Sequence, residues 1–305
     1  MGKAKKIAKA AEPPKKKRKW KLKLILFLLI LLLVLNGWMF LTADTLHVRR
    51  ATVRLNDLPD AFDGTTILYA SDIDICGLFG TNRMIAAFDS LKALQPDILI
   101  LGGDYVSPTL LDRLNNQSAD LSKAQPFFES LADFPAPLGK FAIPGDNDGT
   151  SSDLSAVLST SGIQVIENQC AVVSKDGSAI GIVGVGTDTA ALGSLVSNLQ
   201  TSQCVIAVAH SPAQFVDIRV TEASGGGKWA DLLLAGHTHG GQVVLFGHPM
   251  LTLNAQERQR LSGWSEDSLV TTGVGCEGVN LRFGTQAEVW LITLEKAGAV
   301  RMNFE

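Results

Sequence analysis

A set of side chains able to bind metal ions or steady phosphate charge stands just past the ends of short apolar runs. "TTILYA" (65–70) is followed by Ser-Asp-Ile-Asp, which supplies Asp72 and Asp74. "DILIL" (97–101) leads into Gly-Gly-Asp, with Asp104, and "KFAI" (140–143) into Pro-Gly-Asp-Asn-Asp, with Asp146, Asn147 and Asp148. "CVIAVA" (204–209) ends on His210, and "DLLLA" (231–235) runs into Gly-His-Thr-His-Gly-Gly-Gln, with His237 and His239. The chain has five histidines, and three of them fall at such positions. One histidine at a strand end is ordinarily a hydrogen-bonded structural residue. Three that converge with several carboxylates argue for a metal centre, against the plainer reading of a polar rim without metal. Mixed carboxylate and imidazole ligands suit Mn, Fe, Zn or similar divalent ions. Two such ions about 3.5–4 Å apart can clamp both oxygens of an in-line displacement at phosphorus.

The elements that must position these residues are legible from periodicity. The five runs above, together with "AIGIVGV" (179–185), read as strands buried on both faces. Between them, residues 83–95, 124–134, 152–162 and 191–200 have helical spacing, the third opening on a cap residue and closing on glycine. Strands alternating with helices imply a layered α/β domain, and such folds place ligands in loops beyond the carboxyl ends of the strands. "LHVRRATVRL" near residue 46 reads as a β-rich lead-in. The strand-rich stretches after residue 267, including "AVRMNFE", read as antiparallel additions. Cys76, Cys170, Cys204 and Cys276 form no CxxC pair, and Cys204 reads as a small core residue.

Taken together, "LPDAFDGTTILYASD", "DILILGGD", "HSP", "GHTHGGQV" and "GVGCEGVNLRFGTQAEVWLITL" resemble the calcineurin-like metallophosphoesterase superfamily, in particular its bacterial branch with an N-terminal membrane anchor. The likeness spans roughly residues 47–294. It implies a four-layer α/β/β/α sandwich with a binuclear metal centre that hydrolyses phosphate ester or pyrophosphate bonds. By match, Asp72, Asp104 and His239 resemble ligands of one metal; Asp104, as the bridge, His210 and His237 resemble ligands of the second. Positions 74 and 146 also ligate in the family, and Arg282 in "NLRFG" is a candidate contact to substrate phosphate, or equally a surface or structural arginine.

Three positions depart from the family pattern. Asp74 stands where the first block has histidine, Ser107 where the second has a further aspartate, and Asp146-Asn147-Asp148 where the third has Asn-His-Asp. Carboxylates at 74 and 146 still coordinate through oxygen and favour harder ions, so Mn or Mg is expected over Zn. Asn147 replaces the histidine thought to stabilise the phosphoryl oxygens or protonate the leaving group. An asparagine donates a hydrogen bond but supplies no proton near neutral pH. Two expectations follow: an enzyme whose leaving group needs no acid, with Asn147 and His210 stabilising charge, or a silent metal-binding sensor or scaffold.

Charge and hydropathy divide the chain into three. Residues 1–23 hold eleven Lys and Arg against one acid, leaving 16 basic and 29 acidic residues in the rest. An acidic body lacks the basic face that nucleic-acid binding requires, so no nucleic acid is expected as partner. Residues 24–43, "LILFLLILLLVLNGWMFLTA", match the thickness of a bilayer and exceed the apolar core of a cleaved signal peptide. The basic excess on the amino-terminal side predicts a cytoplasmic tail (1–23), a single span (24–43) and a phosphoesterase domain (44–305) facing out of the cell. Tethering beside the bilayer suggests a phosphorylated lipid, envelope precursor or small molecule as substrate.

Overall fold

The computed structural model describes residues 15–76, 80–197, 199, 203–251 and 253–298. Of the expected basic tail, residues 1–14 lie outside the described residues, as do residues 299–305 of the last anticipated strand. A single helix, Lys15–Asp44, contains the apolar run. Its segment Lys19–Asp44 is long and apolar enough to cross a membrane and packs none of its apolar window into the domain.

The domain behind it holds two six-stranded sheets. The first has the order β1 (Leu46–Leu55), β14 (Ala287–Lys296), β2 (Thr66–Ala70), β3 (Ile98–Leu101), β4 (Gly139–Ala142) and β5 (Gln164–Val165). The second runs β12 (Gly263–Ser265), β13 (Ser268–Val270), β9 (Leu232–Ala235), β8 (Val205–Ala209), β7 (Ser178–Val185) and β6 (Gln169–Lys175). A small hairpin pairs β10 (Val244–Leu245) with β11 (His248–Pro249). Strands β2 to β5 are parallel, and so are β7, β8, β9 and β13. The carboxy-terminal strands depart from simple antiparallel additions. β14 is antiparallel to β2 but parallel to β1, and β13 is antiparallel to β12 but parallel to β9.

The alternation of side chains along each strand builds the layers. Ile67, Tyr69, Ile98 and Ile100 of the first sheet face Ile180, Ile182, Ile206, Val208 and Leu234 of the second, forming one core between the sheets. Leu68, Ala70, Leu99 and Leu101 point the other way, under Met84, Phe88, Phe127 and Phe128. Val183, Val205, Ala207 and Leu233 lie beneath Leu192, Val196, Phe215 and Ile218. Three apolar layers therefore separate helix, sheet, sheet and helix, which is the expected α/β/β/α sandwich. The anticipated helices are present at Gly80–Leu91, Gln125–Ser130, Ser151–Val157 and Leu192–Val196. The cap of the third is Thr150, two residues before the expected Ser152, because Thr150 accepts from the Asp153 amide while Asp153 accepts from Thr150, a capping box that fixes the start.

Candidate metal centre

Parallel pairing decides where the loops go. β2, β3 and β4 of one sheet and β8 and β9 of the other end at the same edge, so all the sequence-predicted ligands emerge there. Backbone bonds stitch the loops of the first sheet together: Asp72 N donates to Gly103 O at 2.9 Å and Asp74 N to Asp104 O at 2.9 Å. Two contacts then join the sheets. His210 Nδ1 lies 2.9 Å from Gly102 O, and His237 N donates to the Asp72 carboxylate at 2.9 and 3.0 Å.

The ligand set sits on strained backbone. Asp72, Asp74, Asp104, His237 and His239 have φ of 54°, 49°, 54°, 68° and 51°. Left-handed conformations at non-glycine residues cost on the order of 1–3 kcal/mol each and cluster at functional sites. Two glycines make the crowding possible. A Cβ on Gly103 (φ 94°) would stand 2.6 Å from Gly145 N and 2.9 Å from His210 Nδ1, and one on Gly145 would collide with Asp104.

Distances resolve the residues into two neighbouring groups. Asp104, His210 and His237 offer ligand atoms that all lie within 4.8 Å of one another. Asp146 joins them, 3.2 Å from His237 Nδ1 and on the solvent side, with its side chain 49% exposed. In the second group His239 Nε2 lies 3.4 Å from Asp74 and 3.9 Å from Asp72. Asp104 links the groups: its carbonyl accepts from Asp74 N at 2.9 Å, and its Oδ2 lies 3.4 Å from His210 Nε2.

Asn147 packs directly on that central carboxylate. Its backbone N–H donates to Asp104 Oδ1 at 2.9 Å and its amide Nδ2 to Oδ2 at 3.0 Å. Asp148 has a different task. It is buried and accepts from the amides of Asp104, Tyr105 and Gly145 at 2.7, 2.8 and 2.8 Å, fastening the second and third ligand loops together. Ser107, where the family has a further aspartate, accepts from Gly278 N at 3.3 Å.

Burial and neighbouring charges strongly shift the ionisation of the site's carboxylates and imidazoles. Burial, with Asp104 and Asp72 as neighbours, holds Asp74 well above the usual carboxyl range. Burial likewise raises Asp72 to about 6, despite the opposing charge of His210. Asp104 goes the other way: burial would raise it, but His210 and the Asn147 amide outweigh that and bring it to about 2. His210 is raised well above its ordinary value, because Asp104 overcomes the effect of burial. His239 is pushed down by burial and by Arg282.

Metal chemistry fits this set. Both Asp74 oxygens, His210 Nε2 and His239 Nδ1 are buried without a hydrogen-bond partner. Because Gly102 O can only accept, His210 carries its proton on Nδ1 and leaves Nε2 to a cation or a second proton. Buried like charges of this density are costly unless paired, and a divalent cation pairs them.

The structure gives a definite place to two further residues. Arg282 is fully buried, and its guanidinium donates to the carbonyls of Thr272 and Gly275 at 2.7 Å each, to Gly273 and Gln286 at 3.2 Å and to His239 at 3.4 Å. Those bonds clamp the loop after β13 and occupy the group assigned to phosphate contact. Glu257, which the sequence did not single out, lies 3.3 Å from His237 Nε2. Its capping box with Asn254 marks a helix start in the sequence, "NAQE", but the approach to a histidine twenty residues earlier is a tertiary event. A cavity of about 500 Å³ reaches Asp74 from the distal end of the long apolar helix, between Phe40, Arg83, Met84, Cys76 and Cys276. The four cysteines are unbridged, and Cys204 is a core residue.

Sandwich and site together define a metallophosphoesterase, and comparison with known proteins agrees. The calcineurin-like phosphoesterase family model matches residues 65–241, and the chain belongs to that family. An uncharacterized metallophosphoesterase of Aquifex aeolicus is 25% identical over 282 residues, covering 87% of this chain and 98% of that one. Phosphodiesterase YaeI of Escherichia coli is 31% identical over 209 residues, 66% of this chain and 71% of that protein. A transmembrane protein with metallophosphoesterase domain from Danio rerio is 22% identical over 269 residues, covering 80% of this chain and 56% of that one.

Proposed function

We propose that this chain hydrolyses a phosphate ester or pyrophosphate bond at a two-metal site, on a phosphorylated lipid, envelope precursor or small molecule met beside the bilayer. The observation that carries the reading is the convergence of Asp72, Asp74, Asp104, Asp146, His210, His237 and His239 on one edge, with buried ligand atoms left unpartnered. Asp72, Asp74 and His239 would hold one ion, and Asp146, His210 and His237 the other, with Asp104 shared. When bound, such ions polarise phosphoryl oxygens and lower the pKa of water. Carboxylates at 74 and 146 favour Mn over Zn.

The chain's own residues supply the rest. Asn147 presents an amide donor beside Asp104, and His210, locked by Gly102 O, stabilises charge as it develops. Neither arrangement supplies a general acid at Asn147, so the reading favours leaving groups of low pKa, including the phosphate side of a pyrophosphate. The name of the Escherichia coli relative supports diester chemistry. The apolar helix supports a single-pass anchor of the cell membrane, and the basic residues before it support a cytoplasmic amino terminus with the domain outside. The bacterial branch remains the source suggested by resemblance.

The full chain in detergent, supplied in turn with Mn, Fe, Mg and Zn, should turn over bis(4-nitrophenyl) phosphate or a pyrophosphate diester. Asp104→Asn should bring that turnover to background. A null result across all metals and both substrates would favour the second reading, a metal-binding sensor or scaffold. That alternative draws on Asn147 itself, whose backbone N–H and one of whose two amide N–H groups are already engaged by Asp104.

A further inference from the structure

We propose that the face around residues 277–283 rests on the outer surface of the bilayer, so that the domain lies against the lipid rather than hanging free from its anchor. The inference rests on reading the apolar helix as a membrane span; it is independent of whether the metal site turns over.

The anchor does not end in a loose linker. Its last turns are bonded to the domain: Arg282 N donates to Met39 O at 3.1 Å, and Arg83 pairs with Asp44 at 2.7 Å. Arg83 also bonds Asn280 at 2.9 Å, and the Trp38 ring meets the Phe283 ring edge-on at 6.1 Å. Trp38 is a residue type that settles at the membrane–water interface. The loop it touches therefore sits within a turn or two of helix from that interface.

That loop is also the hub of an apolar rim. Val244 N donates to Phe283 O at 2.8 Å, which hangs the β10–β11 hairpin beside the anchor. The hairpin exposes Leu245 (41%), Phe246 (100%) and Met250 (65%). Gln242 Nε2 bonds the carbonyls of Glu277 and Val279, and Val279 is 49% exposed. On the other flank Arg113 pairs with Glu277, bringing up the helix Leu110–Leu114, whose Leu111 and Leu114 are more than two-thirds exposed. A fully exposed phenylalanine at a hairpin tip, flanked by a methionine and continuous with a spanning helix, fits the acyl-chain boundary of a bilayer.

The test uses the full chain reconstituted in phosphatidylcholine vesicles doped with a phospholipid bearing a photoreactive acyl chain. After illumination, digestion and mass spectrometry, lipid adducts are expected on the anchor and on peptides carrying Phe246, Met250 and Val279. The double variant Phe246→Ser, Met250→Ser should lose at least fivefold of the hairpin label and keep the anchor label. Adducts confined to the anchor overturn the proposal and leave the rim to water or a protein partner. Absence of adducts from both overturns the anchor reading and this inference with it.

Discussion

Asn147 is the residue on which the chemistry turns. With its amide 3.0 Å from Asp104, it can steady charge but cannot deliver a proton. Asn147→His is expected to raise kcat for alkyl phosphodiesters, whose leaving groups need an acid, by about tenfold or more. Nitrophenyl and pyrophosphate substrates should change little, and paired kinetics on the two classes check it. Glu257 makes the second residue-scale prediction. Where a histidine ligates a metal, a carboxylate behind it fixes its ring and tautomer, and losing that carboxylate typically weakens metal binding about 10–100-fold. Glu257→Gln should do so here, measured by calorimetric Mn titration, with the circular dichroism spectrum unchanged.

At the scale of elements, the loop after β13 is as much a part of the site as the ligand loops. Gly275 N donates to Asp72 O at 2.7 Å, and a Cβ on Gly273 would stand 2.7 Å from the Asp72 Cβ. Arg282 holds this loop in shape through a planar fork that a lysine cannot reproduce. Arg282→Lys should strand buried carbonyls, destabilise the domain by about 3 kcal/mol in chemical denaturation, and weaken metal binding as well. An arginine acting only on substrate phosphate would raise KM and leave stability alone, so the two measurements separate the roles.

Across the whole molecule, buried carboxylates tie stability to pH. Asp72 and Asp148 are raised to about 6 and about 7, each chiefly by burial, from an ordinary value of 3.8. When chelated, the folded chain therefore keeps protons that the unfolded chain has already lost. Their contribution to stability is complete below about pH 4 and drains away as pH rises through 6 to 7. Tm of the chelated protein should fall across that window. Saturating Mn should raise Tm by more at pH 7.5 than at pH 5, because metal and protons compete for Asp72. Differential scanning fluorimetry at the two pH values, with and without Mn, reads the sign directly.

The layered α/β class, the long apolar helix and the candidate ligand residues were readable from the sequence alone, because all three are local. Buried parallel strands write continuous apolar runs, a membrane span writes a long one, and ligands past strand ends write short polar blocks that can be read in order. Which way Arg282 points, what backs His237 and what Asp148 holds were decided only in three dimensions. From its neighbours in the chain Arg282 reads as either a phosphate contact or a structural arginine, and burial against the carbonyls of Thr272 and Gly275 gives it a structural task. Glu257 reads as a helix cap and is one, while its other oxygen reaches a histidine from β9's loop. Local pattern specifies which residues a loop carries. Only the closing of one sheet over the other decides which of their atoms meet.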